Sequence, residues 1–169
     1  MNEATLTIAN ALKTLVANSF PAVGFASAST PELAVQGKSL PAGLRPPCVL
    51  ILAGEGTFID STLTRRQQFH LILIDLLASS DDARTAAALG RFDALQELFP
   101  PDGLQSGDII FIPESFRLLD CPDARAAACL TIIALSPSQA STDSVSGSTD
   151  SAGTVPGSTA SAGSDASPS

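Results

Sequence analysis

Two apolar runs dominate the hydrophobic pattern of this chain, at residues 48–53 (CVLILA) and 69–77 (FHLILIDLL). Successive side chains of a β-strand point to opposite faces of the sheet, so a strand that is apolar along its length needs apolar cover on both faces. The chain offers only two clear helices for this purpose. We therefore predict either that the helices divide between the two faces or that a second protein chain covers one of them.

The two helices follow from the spacing of the apolar residues. The first is predicted over residues 3–18 and ends before Pro21, because the residue before a proline avoids helical geometry. The second begins at the polar run 79–82, whose side-chain oxygens and negative charge suit a helix start, and Pro100 stops it. Its apolar face consists of Ala88, Phe92, Leu95 and Phe99.

The remaining apolar segments are predicted to be strands. They are a short strand at 23–28, the two apolar runs joined as an antiparallel hairpin, a strand at 109–119 and a last strand at 127–135. Pro113 interrupts the strand at 109–119 and indicates an edge position or a bulge. Residues 30–47, rich in proline and glycine, are predicted to be loop. The result is an α+β fold, a mostly antiparallel sheet with two main helices packed against it.

The connection between the two apolar runs is long enough to extend their hairpin beyond the sheet. In that case Phe58, Ile59 and Leu63 are expected on an exposed arm that contacts a partner. The alternative is that these three side chains fold back onto the core. Arg65 and Arg66 follow as a basic pair, which either contacts an acidic partner or is a solvated strand end.

The composition restricts the function. The net charge is -8, and all nine lysines and arginines precede residue 126. The chain is therefore a poor candidate for wrapping nucleic acid, which requires clusters of basic residues, although an acidic protein could line a passage for sliding DNA. No apolar stretch reaches the roughly 18 to 20 residues that span a bilayer, and no signal-peptide pattern is present. We expect a soluble protein that is made in the cytoplasm.

The composition changes near residue 136. Residues 1–136 are predicted to form one domain, and residues 137–169 a disordered tail, because a segment of Ser, Thr, Ala, Gly and Pro buries too little apolar surface to offset its ordering entropy. From residue 139 onward the chain has three Asp and no basic or aromatic residue. Such a tail is either a solubilising appendage or a tether for a partner.

Candidate chemistry is sparse. His70 is the only histidine and lies within an apolar strand, so we expect a packed or interface histidine instead of a catalytic one. Asp75, near the end of the same strand, is expected to be a solvated or salt-bridged carboxylate, with Arg65, Arg66 or Arg84 as candidate partners. The sequence predicts no cofactor, no metal site and no enzymatic activity.

The cysteine content indicates a reducing compartment, since a secreted domain usually pairs its cysteines and this chain has three. Cys48 lies inside an apolar strand and is expected to be a small core residue. A disulfide between Cys121 and Cys129 across a hairpin stays open as an alternative.

The chain resembles the tail terminator proteins of tailed phages, and the Mu-like prophage group is the nearest comparison. The resemblance lies in the first helix, in the entry to the hairpin (GLRPPCVLIL, residues 43–52) and in the second apolar strand (RQQFHLILI, residues 66–74). The following helix and closing hairpin fit the same order. The resemblance covers residues 1–136 as an order of helices and strands, without a diagnostic motif, and the serine-rich tail lies outside it.

This resemblance implies a virion structural protein that forms a ring, in this family a hexamer, on the head-proximal end of the tail tube. The ring would end tube polymerisation and join the tail to the neck proteins, with DNA only as passing cargo and no membrane contact. The protein would lie in the host bacterial cytoplasm during assembly and then in the virion tail. Alternatives are a head-completion or neck connector protein, a small ligand-binding regulatory domain, and an enzyme that uses His70 or Cys48.

Overall fold

Six strands form one sheet, in the order β1-β2-β3-β6-β5-β4, in this computed structural model of the protein. The structure describes residues 2–36, 40–59, 64–76, 82–121 and 125–137. Its elements are α1 (Glu3–Ala17), β1 (Val23–Phe25), α2 (Pro31–Gln36), β2 (Cys48–Ile59), β3 (Thr64–Leu76), α3 (Asp82–Glu97), β4 (Leu104–Ser106), β5 (Ile109–Leu119) and β6 (Arg125–Pro137). All neighbouring strands are antiparallel except β1 and β2. The predicted α+β fold is confirmed.

One face of the sheet packs against α1 and α3. Helix α1 begins after Asn2, whose side-chain oxygen accepts a hydrogen bond from the backbone N–H of Thr5 at 2.9 Å and so satisfies one free amide of the first turn. Both helices direct their apolar residues onto alternate residues of the central strands. The core of this face contains Ile8, Leu12, Val16, Phe92, Leu95, Val49, Ile51, Phe69, Leu71, Leu73, Phe111, Ala128, Leu130 and Ile132.

The opposite face is covered by α2, in a segment that we predicted to be loop. Pro31 occupies the first helical position, where a missing N–H breaks no helical hydrogen bond, and the Thr30 hydroxyl accepts a hydrogen bond from the N–H of Leu33 at 3.3 Å. Val35 is 1% exposed and packs into this second core. The other buried members are Cys48, Leu50, Leu52, Ile72, Ile74, Leu119, Ala127 and Cys129. The two predicted helices therefore lie on one face instead of dividing between the two, and a third helix covers the other face. The prediction of continuous loop over 30–47 is also wrong.

The hairpin of β2 and β3 continues beyond the two predicted apolar runs. Cys48 to Ala53 pair with Ile74 to Phe69, the register then shifts, and pairing resumes from Gly56 and Gln67. Residues 54 and 55 of β2 oppose the single residue 68 of β3 there, so the bulge adds one residue to β2. Because β2 has 12 residues and β3 has 13, the hairpin is longer than the apolar runs alone indicate, as the extended alternative required.

The other half of the sheet agrees with the prediction except at one short strand. The register between β5 and β6 shifts between Pro113 and Ser115, so the bulge indicated by the proline is present. The three residues of β4 were not predicted as a strand. Strand β6 lies between β3 and β5. The predicted tail, apart from Pro137, lies outside the described residues, and no helix among those residues is long and apolar enough to cross a membrane.

Candidate partner-binding surface

The extended part of the hairpin places Arg65 and Arg66 on opposite faces of the sheet, since adjacent strand residues alternate. Arg65 is the register partner of Phe58, and Arg66 is the partner of Thr57. Phe58 and Ile59 belong to β2 by their backbone, but their side chains lie outside the described residues, as does the whole of Leu63. The predicted arm therefore exists as paired backbone, and the exposure of its three apolar side chains stays a prediction.

The guanidinium of Arg65 joins the hairpin extension to the start of α1. Its Nη2 donates to Asn2 Oδ1 at 3.2 Å and to Gln67 Oε1 at 3.0 Å, and also to the hydroxyl oxygen of Thr5. All three acceptors are neutral side chains. The hairpin is thus braced against the helix by hydrogen bonds from a charged donor, which are stronger than those between neutral groups.

Gln67 fills the inside of the bulge. This side chain is 3% exposed, and its Nε2 donates to the carbonyl oxygen of Gly54 at 2.8 Å. A side chain at Gly56 would clash with Gln67 Oε1. The two glycines and the glutamine therefore form one unit: the absence of a Cβ at Gly56 makes room for the Gln67 amide, and the carbonyl of Gly54 accepts its hydrogen bond. A cavity of about 420 Å³ adjoins this unit and Arg65.

Arg66 belongs to a separate cluster on the other face. Its Nη2 lies 3.1 Å from Glu114 Oε1, and Gln68 Nε2 donates to Glu114 Oε2 at 3.0 Å. Both charged side chains are about two-fifths exposed, at 39% and 42%. The two arginines consequently form no continuous basic patch, and each binds different neighbours within the chain.

Asp75 pairs with an arginine that we did not predict. Its Oδ2 lies 2.5 Å from Nη1 of Arg91 in α3, and its Oδ1 accepts the N–H of Leu76 at 2.8 Å. The expected pairing with Arg65 or Arg66 is wrong, because both of these lie toward the far end of β3. The side chain of Arg84 lies outside the described residues. The carboxylate therefore ties α3 to the edge of the core.

His70 and Cys129 lie side by side, and among the described residues neither forms a hydrogen bond with a charged side chain. His70 Nδ1 is 3.1 Å from the hydroxyl oxygen of Thr131 and 4.0 Å from Cys129 Sγ. Burial is the main cause that lowers the pKa of His70 and raises the pKa of the Cys129 thiol. Burial also raises the pKa of Cys48 to about 11. At neutral pH these thiols are protonated, which makes them weak nucleophiles.

None of the three cysteines forms a disulfide, so the alternative of a bridge between Cys121 and Cys129 is wrong. Cys48 is fully buried, as expected of a small core residue. Among the described residues, no group of three or more His, Cys, Asp or Glu side chains is arranged to hold a metal ion.

A larger cavity lies between α3 and the bulge of β5, and sequence reasoning missed it. It has a volume of about 750 Å³ and an apolar floor that includes Phe116 and Leu130, with Asp93, Glu97 and Glu114 at its rim. No local pattern indicates it, because its walls come from a helix and a strand whose relative position depends on the tertiary fold. We call it the α3–β5 groove.

Comparison with known proteins assigns this chain to no family. No family model matches it, and no curated protein matches it. Among solved structures 21 chains match. One of them shares 16% sequence identity with a TM-score of 0.43, and the match covers 80% of this chain and 95% of that one. Similarity at this level supports no argument about function.

Proposed function

We propose that this protein is a structural component of a phage or phage-like particle that caps the head-proximal end of the tail tube. As an oligomeric ring it would end tube polymerisation and join the tail to the neck. The observation that best supports this proposal is the hairpin extension, whose outer edge on β2 has no strand partner among the described elements and which is braced to α1 by Arg65. A protein that stops a growing polymer needs a rigid surface of this kind, because an ordered surface loses little entropy on binding.

The pattern of strand pairing along the hairpin favours contact with a protein partner at its outer part. Val49 to Ile51 have β1 on their outer side, but β1 pairs with no residue of β2 beyond Ile51. The outer edge of the remaining part of β2 thus has no strand partner among the described elements. Unpaired strand edges accept strands from other chains, and the bulge that starts at Gly54 limits indiscriminate pairing by twisting the edge.

The charge of the protein suits a ring through which DNA passes. Its net charge of -8 disfavours lasting contacts with phosphate groups. The proposed partners are therefore copies of this protein, the tail tube protein and the neck connector proteins. DNA would be present only as passing cargo, and assembly would occur in the host cytoplasm.

The proposal is tested by measuring solution mass by analytical ultracentrifugation, with and without the tail tube protein of the same particle. We expect a ring-sized species and binding at tube ends by electron microscopy. A strictly monomeric protein that never binds tube ends would contradict the proposal. Binding to neck proteins but not to tubes would favour the connector alternative instead.

Adjacent arginines provide a matched pair of variants for this assay. Arg65→Ala removes the brace between the hairpin and α1, so we expect weaker binding to tube ends. Arg66→Ala removes only an exposed ion pair with Glu114, and such pairs are worth roughly 0–1 kcal/mol. Equal loss of binding in both variants would show that the brace has no special part in tube contact.

A further inference from the structure

We propose that copies of this protein associate head to tail, with the α3–β5 groove of one copy receiving the β1 edge of the next. This inference rests on the proposed function, since it names the contact by which a ring would close. It is carried by three observations, which are an apolar groove, an open strand edge beside it, and opposite charges at the two edges of the sheet.

The groove continues as exposed apolar surface along α3 and β5. Leu89 lies four residues, or about one turn, before Asp93 on the same side of α3. Leu118 lies two residues beyond Phe116, on the same face of β5. These two leucines are 51% and 64% exposed. An apolar floor with further large apolar side chains in line is typical of a protein-binding surface.

The outer edge of β5 is open beside the groove. Strand β4 pairs only with Ile109 to Phe111. The rest of β5 has no strand on its outer side among the described elements. Pro113 and the bulge interrupt this edge at one end, but pairing with β6 is regular from Ser115 to Leu119. A neighbouring backbone could therefore add to the edge while its side chains enter the groove.

The two edges of the sheet differ in charge. At the groove, Asp93 and Glu97 are exposed and make no ion pair within the described part of the chain. At the opposite edge, Lys13 lies 5.2 Å from the ring centroid of Phe25 in β1. Arg45 is exposed next to Leu44, which packs so close to Gly24 of β1 that a Cβ there would clash with it.

The charges favour a second copy over the C-terminal segment of the same chain. Residues 138–169 contain three Asp and no Lys or Arg, so their charge has the same sign as that of the groove. Two copies that met through the same groove would likewise place carboxylates against carboxylates. A contact between two different surfaces avoids this repulsion, and repeated contacts of this type close into rings or extend as filaments.

Reciprocal charge reversal tests the arrangement. One variant combines Asp93→Lys with Glu97→Lys, and the other combines Lys13→Glu with Arg45→Glu. Each variant alone would bring like charges together, so we expect its self-association constant to fall at least about tenfold. An equimolar mixture restores opposite charges at every contact, and we expect it to recover the mass of the wild-type assembly. Recovery also shows that both variants are folded.

A matched control changes as much charge outside both proposed contact surfaces. The double variant Asp143→Lys and Asp150→Lys reverses two carboxylates of the C-terminal segment, which the proposed contact does not use, and we expect it to assemble like the wild type. If the wild type assembles and both reversed variants assemble equally well, the head-to-tail contact is wrong while the proposed ring stands. A wild type that stays monomeric with and without tail tube protein would overturn both.

Discussion

The two faces of the sheet are buried by very different means. On one face α1 and α3, with 15 and 16 residues, pack long rows of apolar side chains onto the strands. On the other face α2, with six residues, buries Val35 against the sheet, and parts of the adjoining loops complete the cover. Both faces of the central strands are largely apolar, although the second face also carries His70 and Thr131. Two apolar faces of one sheet therefore do not require equal cover.

This difference explains why a second chain is not needed to account for the apolar strands. The second core has nine buried members, of which Cys48, Ala127 and Cys129 are small, and α2 with the adjoining loops is sufficient to exclude water from it. The first core contains phenylalanines, including Phe99 and Phe111, whose rings meet edge to face with centroids 6.5 Å apart. Large side chains need thick cover, and the long helices supply it.

The largest effect is expected from a truncation in the thicker core. Leu12 of α1 is fully buried, and Leu12→Ala should lower the free energy of unfolding by about 2–5 kcal/mol through lost transfer energy and the cavity that remains. Denaturant unfolding, with the midpoint and slope both fitted, measures it. Leu6→Ala, on the exposed side of the same helix, is the control. A small loss at Leu12 would mean that this core is loosely packed.

The same substitution on each face compares the two covers directly. Val16 and Val35 are 0% and 1% exposed. We expect Val16→Ala to cost about 1.5–3 kcal/mol. Val35→Ala should cost less globally, because a short helix can open locally without unfolding the sheet. Hydrogen exchange should then show faster exchange confined to α2. Equal global losses would contradict the distinction between the two faces.

The ion pair between Asp75 and Arg91 is a polar element at the border of the thicker core. Arg91→Ala leaves a carboxylate that is only 6% exposed without its cation, and we expect a loss of about 1–2 kcal/mol because Arg91 itself is 40% exposed. Adding Asp75→Asn to Arg91→Ala should recover part of that loss. Thermal unfolding of the two single variants and the double variant measures the coupling between the two residues. No recovery would show that the charge is solvated.

The smallest effect concerns His70, on the thinner side. Burial lowers its pKa below the ordinary 6.5, so the unfolded chain binds more protons than the folded protein just below that pH. Stability should therefore fall as the pH decreases from 6.5. His70→Gln should remove this part of the slope, which thermal unfolding over a pH series would show. Identical slopes in both proteins would mean that His70 takes up its proton as readily when folded.

The sequence predicts those helices and strands that a local pattern, such as one apolar run or one helical repeat, is sufficient to indicate. The spacing of Ile8, Leu12 and Val16 is sufficient for α1, and Pro113 is sufficient for the bulge of β5. Helix α2 is too short to show a period, although Thr30 followed by Pro31 is a usable start signal. The partner of Asp75 depends on how α3 is rotated against the sheet, and no local pattern contains that information.

The candidate surface was predicted only in part, because local patterns contain no information on how distant elements pack together. Alternation along a strand separates Arg65 from Arg66, and this follows from the sequence once the strand is known to extend that far. The bulge is indicated by Gly54 and Gly56 in an otherwise regular strand. The α3–β5 groove requires the packing of a helix beside a strand bulge, which is a property of the complete fold.

The start of α1 and the end of β6 both lie at the hairpin end of the sheet. Asn2 Oδ1 is 3.2 Å from Arg65 Nη2, and Pro137 is the register partner of Thr64. An affinity tag fused before Asn2, or a fluorescent protein inserted directly after Pro137, would start beside the surface proposed to meet the tail tube, and would block it in a binding assay. A label inserted after Asp120 would start about 30 Å away, at the other end of β6. That position suits assays of tube binding, but it adjoins the open edge of β5, so self-association should be measured on unlabelled protein.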